Sequence, residues 1–252
     1  MAPPSLRPLP ENAGLAFNGE PPWAPAAIKR SQAQTLNEAV NPSRRSNRDV
    51  LRRYVGVQLH HMHERWQIDF PPHLTLQEAA LYAGPFGLLE QRQAGIPGQW
   101  WINPQANLAL RTTLARLDRF LATPVEESTL AWIWMEDEWL PDNSLLAVAR
   151  DDDFTHGVLQ SRQFALWWRT HSPHHALTVI VESFPFPWRP AMPLGSLTGL
   201  QQDLRVEVSR ATRNGALESL NLAVATAYGW PADLEEGEQL ARLDQLHRRR
   251  VG

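Results

Sequence analysis

The sequence predicts an α+β fold, in which a mixed, twisted sheet flanked by helices is followed by a small C-terminal helical unit. Up to about residue 190, short apolar segments bounded by turn residues alternate with segments of helical periodicity. From Gly195 onward, every segment has helical spacing. Between these parts, the prolines of PFPWRPAMP block both a strand ladder and a helix, which indicates a boundary near residues 185–195.

The chain divides by composition into three predicted parts. Residues 1–55 form an extended and basic docking segment, residues 56–190 the α/β domain, and residues 191–252 the C-terminal helical unit. Residues 1–27 are rich in proline, and we expect them to be ordered only by contact with something else. We expect the apolar side chains Leu15, Phe17 and Trp23, together with the C-terminal tail, to contact a partner.

Individual elements follow from periodicity and turn residues. Asn41-Pro42 predicts a turn before a helix that begins near Ser46 or Asn47. Gly84-Pro85 is expected to end a helix that starts at Leu74. The further predicted strands are 66–70, 130–135, 145–150 and 176–184, and the further predicted helices are 106–122, 197–211, 216–229 and 234–250.

Composition bounds the function. The chain of 252 residues has no cysteine and a net charge of −3, which excludes thiolate chemistry and a protein that is basic overall. It contains no apolar run of about 18 residues, and its N-terminus lacks the apolar core of a secretory signal, so we expect a cytoplasmic protein without a membrane contact. Lys29 is the only lysine beside the arginines. A GC-rich genome explains this bias as well as a need for planar, forked donors to phosphates and guanine.

The stretch DDDFTHGVLQSRQFALWW (151–168) contains an acidic cluster followed by a predicted helix, and either one could carry its function. Three consecutive aspartates point in different directions, so we expect them to start the helix, with Asp153 or Thr155 as the cap, rather than to bind metal. Arg162 falls in the predicted apolar stripe of this helix and must find an acceptor there. That acceptor is either one of the aspartates or a nucleic-acid phosphate or base.

Other catalytic motifs are weak or missing from the sequence. His60, His61 and His63 are neighbours, but they lack the partner ligands and spacing of a metal site. The chain has no Gly-rich nucleotide loop, no nucleophile elbow and no Asn-Pro-Pro-aromatic motif of amino-methyltransferases. We therefore predict no catalytic residue, metal site or cofactor in this chain.

A set of segments in a fixed order carries a resemblance to a known family. The segments are NAGLAFNG, NPSRRSNRDVLRRYV, WQIDF, EAALYAGPF, WW, RFLATP, LPDNSLLAVARDDDFTHGVLQSRQFALWW, ESFPFPW and AVATAYGWPADL. In this order they resemble the C-terminal part of MmeI-like type IIL restriction–modification enzymes and of related adenine-specific DNA methyltransferases. The resemblance covers nearly the whole chain.

The resemblance implies a target-recognition domain followed by a helical tail. The family's nuclease and S-adenosylmethionine-binding parts lie upstream, and this chain starts at its own methionine. We therefore expect the specificity subunit of a split adenine-N6 methyltransferase or restriction–modification system, with the cofactor on a separate catalytic polypeptide. Its expected ligand is double-stranded DNA. The expected DNA-binding residues are Arg44, Arg45, Asn47, Arg48, Arg52, Arg53, Arg111, Arg116, Ser161 and Arg162.

One segment departs from the family pattern. Where the family carries a basic run after Ala-Thr-Pro, this chain has VEEST (125–129), whose two glutamates repel phosphates. Glutamate can accept from a cytosine amino group, so either the target contact has changed or DNA binding is weak. Two rival functions follow: a protein–protein module that docks on a methyltransferase without reading DNA, and a metal-dependent hydrolase that uses Asp151–Asp153 and the histidines.

Overall fold

The computed structural model describes residues 6–58, 61–93, 95–126 and 130–251, and it confirms the predicted α+β class. Helices and strands alternate through most of the chain, and the last elements are helical. The strands are β1 (Ala16–Asn18), β2 (Ala27–Ile28), β3 (Leu51–Gln58), β4 (His61–Ile68), β5 (Arg119–Pro124), β6 (Ile133–Glu136), β7 (Trp139–Pro141) and β8 (Leu145–Val148). The helices are α1 (Arg30–Glu38), α2 (Leu76–Ala80), α3 (Ala83–Gln93), α4 (Leu108–Leu114), α5 (Asp153–Gln160), α6 (Arg162–His171), α7 (Leu177–Ser183), α8 (Gly199–Asn214), α9 (Leu217–Ala227) and α10 (Glu236–Val251).

The chain forms two compact units that interleave along the sequence. The larger unit draws on residues 1–17, 117–135 and 146–252, and the smaller unit on residues 18–116 and 136–145. These groupings do not coincide with the sequential boundaries at residues 55 and 190, and the sequential division stays a prediction.

The smaller unit is built around an antiparallel pair of strands. β3 pairs with β4 from Leu51 opposite Ile68 to Gln58 opposite His61. The short strand β2 pairs with the outer edge of β4, and β7 runs parallel to β3, which gives the order β2-β4-β3-β7. Side chains alternate between the two faces of a sheet. Apolar side chains of this sheet therefore pack on a core, while polar side chains occupy the remaining positions. The core residues include Trp23, Val50, Leu51, Ile68, Phe70, Tyr82, Leu89 and Trp101.

The larger unit packs helices against the sheet β1-β8-β5-β6. All four residues of β8 are buried, as expected for a strand covered on both faces. Helix α5 crosses α8 closely at Gly157, where a Cβ atom would lie 2.1 Å from Thr212 Oγ1. Glycine is therefore required at this crossing. The core residues include Leu121, Trp132, Phe154, Val158, Phe164, Trp167, Ile180, Phe184, Val208 and Val224.

The basic stretch contains a strand where we predicted a helix. Ser46 caps a 3₁₀ turn at Asn47–Val50 by accepting a hydrogen bond from the Arg48 N–H, and β3 begins directly after it. The expected start was therefore right, but the helix was wrong. The run LRRYVGVQ pairs with β4 along its length, and this pairing supplies hydrogen-bond partners that the local sequence does not reveal.

Gly84-Pro85 begins a helix instead of ending one. The predicted helix 74–84 is the short α2, which starts with a capping box between Thr75 and Glu78. Helix α3 then starts at Ala83 and contains Pro85 in its first turn. Proline is tolerated in the first turn of a helix, because the N–H groups of that turn have no intrahelical acceptor.

Two longer predictions also change. The predicted helix 106–122 ends at Leu114, and the segment after it forms β5, whose central residues are all buried. The predicted strand 176–184 is helix α7, with Leu177, Ile180 and Val181 buried at helical spacing. The strand predicted at 130–135 is found at Ile133–Glu136, and the strand predicted at 145–150 is found at Leu145–Val148. The segments after residue 195 are helical, as predicted.

The N-terminal segment is ordered by the chain itself. Leu9, Leu15 and Trp23 are buried, and the Leu9 N–H donates to the Glu182 carbonyl at 2.9 Å. Phe17 is half-buried in β1. The predicted partner contact is therefore wrong for Leu15 and Trp23, which are core residues, and it stays a prediction for Phe17. In the part of the chain that the structure describes, no helix combines the length and apolarity needed to cross a membrane.

Candidate nucleic-acid interface

A loop pinned by two buried asparagines carries the first predicted arginines. Asn41 and Asn47 are 4% and 1% exposed, and the Asn41 amide donates to Asn47 Oδ1 at 2.6 Å. Asn41 also donates to the Arg45 carbonyl at 2.8 Å, and Asn47 donates to the Leu36 carbonyl at 2.6 Å. These bonds satisfy buried polar groups and fix the loop backbone. Asn47 is therefore a structural residue, and its predicted DNA contact is corrected to a supporting role.

The pinned loop presents two exposed arginines. Arg44 has a φ of 62°, a conformation that non-glycine residues rarely adopt, and the hydrogen bond from its N–H to the Asn41 carbonyl at 2.9 Å helps to hold it. The guanidinium carbon of Arg45 lies 5.6 Å from the centre of the Tyr82 ring. The hydrogen bond to the Tyr82 hydroxyl raises the pKa of Arg45 further. Both cations are thus held at the surface by a fixed backbone.

The next arginines lie at and after the start of β3. Arg48 is exposed and forms an ion pair with Glu138, while Arg52 is half-buried. Arg53 is held more firmly, because Glu64 Oε2 lies 2.7 Å from its Nη2 and its guanidinium carbon lies 4.3 Å from the Trp139 ring centre. The structure therefore brings Arg48, Arg52 and Arg53 together on one strand and the turn that precedes it.

Arg111 serves the interior of the smaller unit. Its Nε donates to Glu20 Oε1 at 2.6 Å, and its Nη1 donates to Asp69 Oδ2 at 2.7 Å. Its Nη2 donates to both Glu20 Oε2 and the Tyr54 hydroxyl, at 2.7 and 2.9 Å. The carboxylates are 0% and 4% exposed, so two acidic groups that water does not reach share one guanidinium cation. The predicted DNA contact of Arg111 is corrected to this network.

Burial also shifts the ionisation of the groups around Arg111. It raises the pKa of Tyr54, and the negative charges of Asp69 and Glu20 raise it further, so the phenol stays protonated and can donate to Glu20. Burial raises the pKa of Asp69 as well, although the charge of Arg111 opposes the shift. Burial alone would lower the pKa of Arg111, but its hydrogen bond to Glu20 and the charge of Asp69 leave it raised. Arg111 therefore remains a cation.

The larger unit carries the remaining candidates after a helix break. Ser161 is buried, and its hydroxyl donates to the Val158 carbonyl at 2.7 Å while its side chain caps the next helix by accepting from the Phe164 N–H. Because the chain breaks there, Arg162 starts α6 on the exposed surface. The prediction that Arg162 lies in a buried apolar stripe is therefore wrong. Phe164 and Trp167 are core residues.

The aspartates start helix α5, and the cap is Asp152. Its Oδ1 accepts from the Thr155 N–H at 2.9 Å, whereas we predicted Asp153 or Thr155 as the cap. Asp152 lies 2.7 Å from Arg150 Nη2, and Asp153 lies 2.9 Å from Arg119 and 2.7 Å from Arg213. Arginines within the larger unit thus neutralise these carboxylates, and Arg162 is not among their partners.

The remaining candidates are spread over the surface. Arg116 is exposed, and so is Glu126 in the acidic segment, while residues 127–129 lie outside the described ranges. His61 is exposed, His63 Nε2 lies 3.3 Å from Asp142 Oδ2, and His60 also lies outside the described ranges. Across the residues that the structure describes, no group of three or more histidine, aspartate or glutamate side chains is arranged to hold a metal ion.

Sequence reasoning missed the groups that hold the arginines in place. Glu64, Trp139 and the partners of Arg111 were not singled out, and Asn41 was named only as part of a turn. One signal was available, since Asp69 stands between Ile68 and Phe70 in an apolar run, where an ionised side chain needs a buried partner. The identity of that partner required the fold, because 91 residues separate Glu20 from Arg111.

Comparison with known proteins gave one informative match. No protein-family model matches the sequence, and no curated protein matches it. A solved structure of the type IIL restriction–modification enzyme MmeI, in complex with DNA, is similar to this chain with a TM-score of 0.56 and 13% identity. The match covers 93% of this chain and 35% of MmeI, so the chain spans about a third of that enzyme's length. At this identity the likeness shows a related fold.

Proposed function

We propose that this chain is the DNA target-recognition subunit of a split adenine-N6 methyltransferase or restriction–modification system. The observation that carries the proposal is the fold likeness over 93% of the chain to an enzyme solved with DNA. The pinned arginines support it, because a rigid cationic loop loses little conformational entropy when it binds phosphates. Catalysis and S-adenosylmethionine belong to a separate polypeptide in this proposal.

The proposed DNA-contacting surface has fewer members than the sequence suggested. Asn47, Arg111 and Ser161 are excluded because internal hydrogen bonds use their side chains. In the smaller unit it consists of Arg44, Arg45, Arg48 and Arg52, with Arg116 as a further exposed cation. The larger unit, taken by itself, contributes the exposed Arg162 as a separate candidate contact. Arg53 is tied to Glu64 and Trp139 and contributes less.

Duplex binding and its salt dependence test the cationic surface. The R44Q/R45Q/R48Q variant and the wild type are titrated with labelled duplex DNA by fluorescence anisotropy at several salt concentrations. Three lost phosphate contacts reduce the slope of log K against log[salt] by about 2–3, because each contact releases about one counterion. R242Q is the control, since Arg242 is paired with Glu238 on its own helix. Equal slopes for the triple variant and the wild type would contradict the proposal.

Deletion of the gene tests the specificity role directly. N6-methyladenine is mapped across the genome of the source organism before and after deletion, and again after complementation with the wild-type or triple-variant gene. We expect one methylated sequence motif to disappear and to return only with the wild-type gene. An unchanged methylome, together with recovery of a methyltransferase by affinity purification, would favour the rival protein–protein module instead.

A further inference from the structure

A cleft in the smaller unit combines arginines with a half-buried tryptophan. Its volume is about 260 Å³. This is slightly below the range of small-molecule sites, which begins at about 300 Å³. Helix α1 forms one wall with Gln34 and Asn37, and β4 contributes Trp66 to the other. Arg48, Arg52 and Arg53 all line the cleft, and Arg53 lies on the same sheet face as Trp66.

Glu64 fixes the aromatic side of the cleft. Its Oε1 accepts a hydrogen bond from Trp66 Nε1 at 2.6 Å, and its Oε2 lies 2.7 Å from Arg53 Nη2. Arg53 stands opposite Trp66 in the antiparallel pair and opposite Trp139 in the parallel pair. A row of Trp66, Arg53 and Trp139 therefore lies across one sheet face, with Arg53 stacked on Trp139. This arrangement holds the Trp66 ring in place before any ligand arrives.

An exposed ion pair, between Arg48 and Glu138, lines the cleft. Arg48 and Glu138 contact each other, yet their side chains are 69% and 59% exposed. An exposed pair of this kind contributes little to stability, so an anion can displace the carboxylate at small cost. Arginine donates two parallel hydrogen bonds to a phosphate. This interaction is at least as strong as its ion pair with an exposed carboxylate.

We propose that this cleft binds one unstacked nucleotide, with the base against Trp66 and the phosphate on Arg48. Tryptophan faces stack with any base, and the amides of Gln34 and Asn37 provide both donors and acceptors for a base edge. An acidic peptide would use the arginines but would leave the aromatic wall without a partner. The ligand proposed here is a single unstacked nucleotide, whereas the proposed function concerns double-stranded DNA, so this inference goes beyond that function. The nucleotide is either free or part of a single strand.

Calorimetry with small ligands tests the cleft. The full chain is titrated with deoxyadenosine 5′-monophosphate, with 2-deoxyribose 5-phosphate and with a labelled single-stranded hexanucleotide. We expect the base-bearing ligand to bind at least about tenfold more tightly than the sugar phosphate, because stacking on an aromatic ring supplies that difference. Tighter binding of the hexanucleotide than of the free nucleotide identifies a strand as the source, and the reverse identifies a free nucleotide.

Three variants locate the binding. W66L removes the stacking face, and we expect about a tenfold loss of nucleotide affinity. N37W fills the cleft from an exposed helix position and should abolish binding without removing a core contact. E138Q removes the carboxylate that competes for Arg48, and we expect affinity to rise a few-fold, which a merely structural role would not produce. R65Q is the control, because Arg65 adjoins Trp66 in β4 and points to the opposite sheet face.

Each result decides the proposal. Nucleotide binding that W66L weakens, N37W blocks and E138Q strengthens supports it. Equal affinity for the nucleotide and the sugar phosphate, no binding of any base-bearing ligand, or wild-type affinity in N37W overturns it. Duplex binding is measured in the same N37W protein. A failure of duplex recognition thus remains separate from a failure of nucleotide binding.

Discussion

The two units differ in how their carboxylates are paired with positive charge. In the smaller unit, Glu20 and Asp69 are buried and share the cation of Arg111. In the larger unit, the aspartates lie at the start of α5, where surface arginines and the helix N-terminus neutralise them. The buried titratable groups of the larger unit include His156, which is 9% exposed, and the half-buried His171. Burial lowers the pKa of both rings, which favours their neutral form.

This difference between the units shows that nearby carboxylates decide whether an arginine is structural or available to a ligand. Arg111 and Arg162 are both helical arginines that the sequence placed near DNA. Two buried acids hold Arg111, whereas a helix break at Ser161 leaves Arg162 on the surface. A helical wheel gives Arg162 a buried position and cannot detect the acids around Arg111, because they come from other elements.

Removal of Arg111 has the largest expected effect. R111M leaves Glu20 and Asp69 buried without their cation, and we expect the free energy of unfolding to fall by about 3–5 kcal/mol, as for other broken buried pairs. R116Q is the matched control, since Arg116 is exposed and should change stability by less than about 0.5 kcal/mol. Urea unfolding measures both variants, and similar stabilities for the two would refute the network as a structural element.

Acidification is expected to have an intermediate effect that separates the units. Because the folded pKa values of His156 and His171 lie below the ordinary 6.5, the unfolded chain binds more protons as the pH falls below 6.5. Stability of the larger unit therefore falls in that range. For Asp69 the pKa is raised, so the sign is opposite: folding gains stability as the pH falls through the raised value toward the ordinary 3.8.

Unfolding curves at a series of pH values measure this effect. The H156Q and H171Q variants should show a weaker loss of stability between about pH 7 and pH 5, because a neutral amide does not titrate in that interval. D69N should leave the loss in that interval in place. A wild-type protein that is equally stable across the interval would contradict the assignment of neutral histidines to the interior.

Substitution of Arg162 has the smallest expected effect on stability. R162Q should change the free energy of unfolding by less than about 0.5 kcal/mol, because the side chain is exposed. Under the proposed function it lowers duplex affinity and reduces the salt slope by about 1. Thermal unfolding and anisotropy titration give the two values. A destabilisation comparable to that of R111M would mean that both arginines are structural, and the contrast between them would fail.

The sequence by itself determined the fold class, the helical C-terminal part and the role of the acids as a helix start. These features depend on local periodicity, prolines and capping residues, which act within a few residues. It also indicated the basic stretch 44–53 as a surface for anions. The same local logic failed where pairing partners decided the element, as in β3, β5 and α7.

Only the tertiary structure decided which polar residues are available to a ligand. The contacts of Arg111 with Glu20, of Arg53 with Trp139 and of Arg48 with Glu138 each join residues at least 86 positions apart. The burial that gives these contacts their strength arises when strands and helices from distant segments pack together. Local spacing carries no record of that packing, and the cleft beside Trp66 follows from it alone.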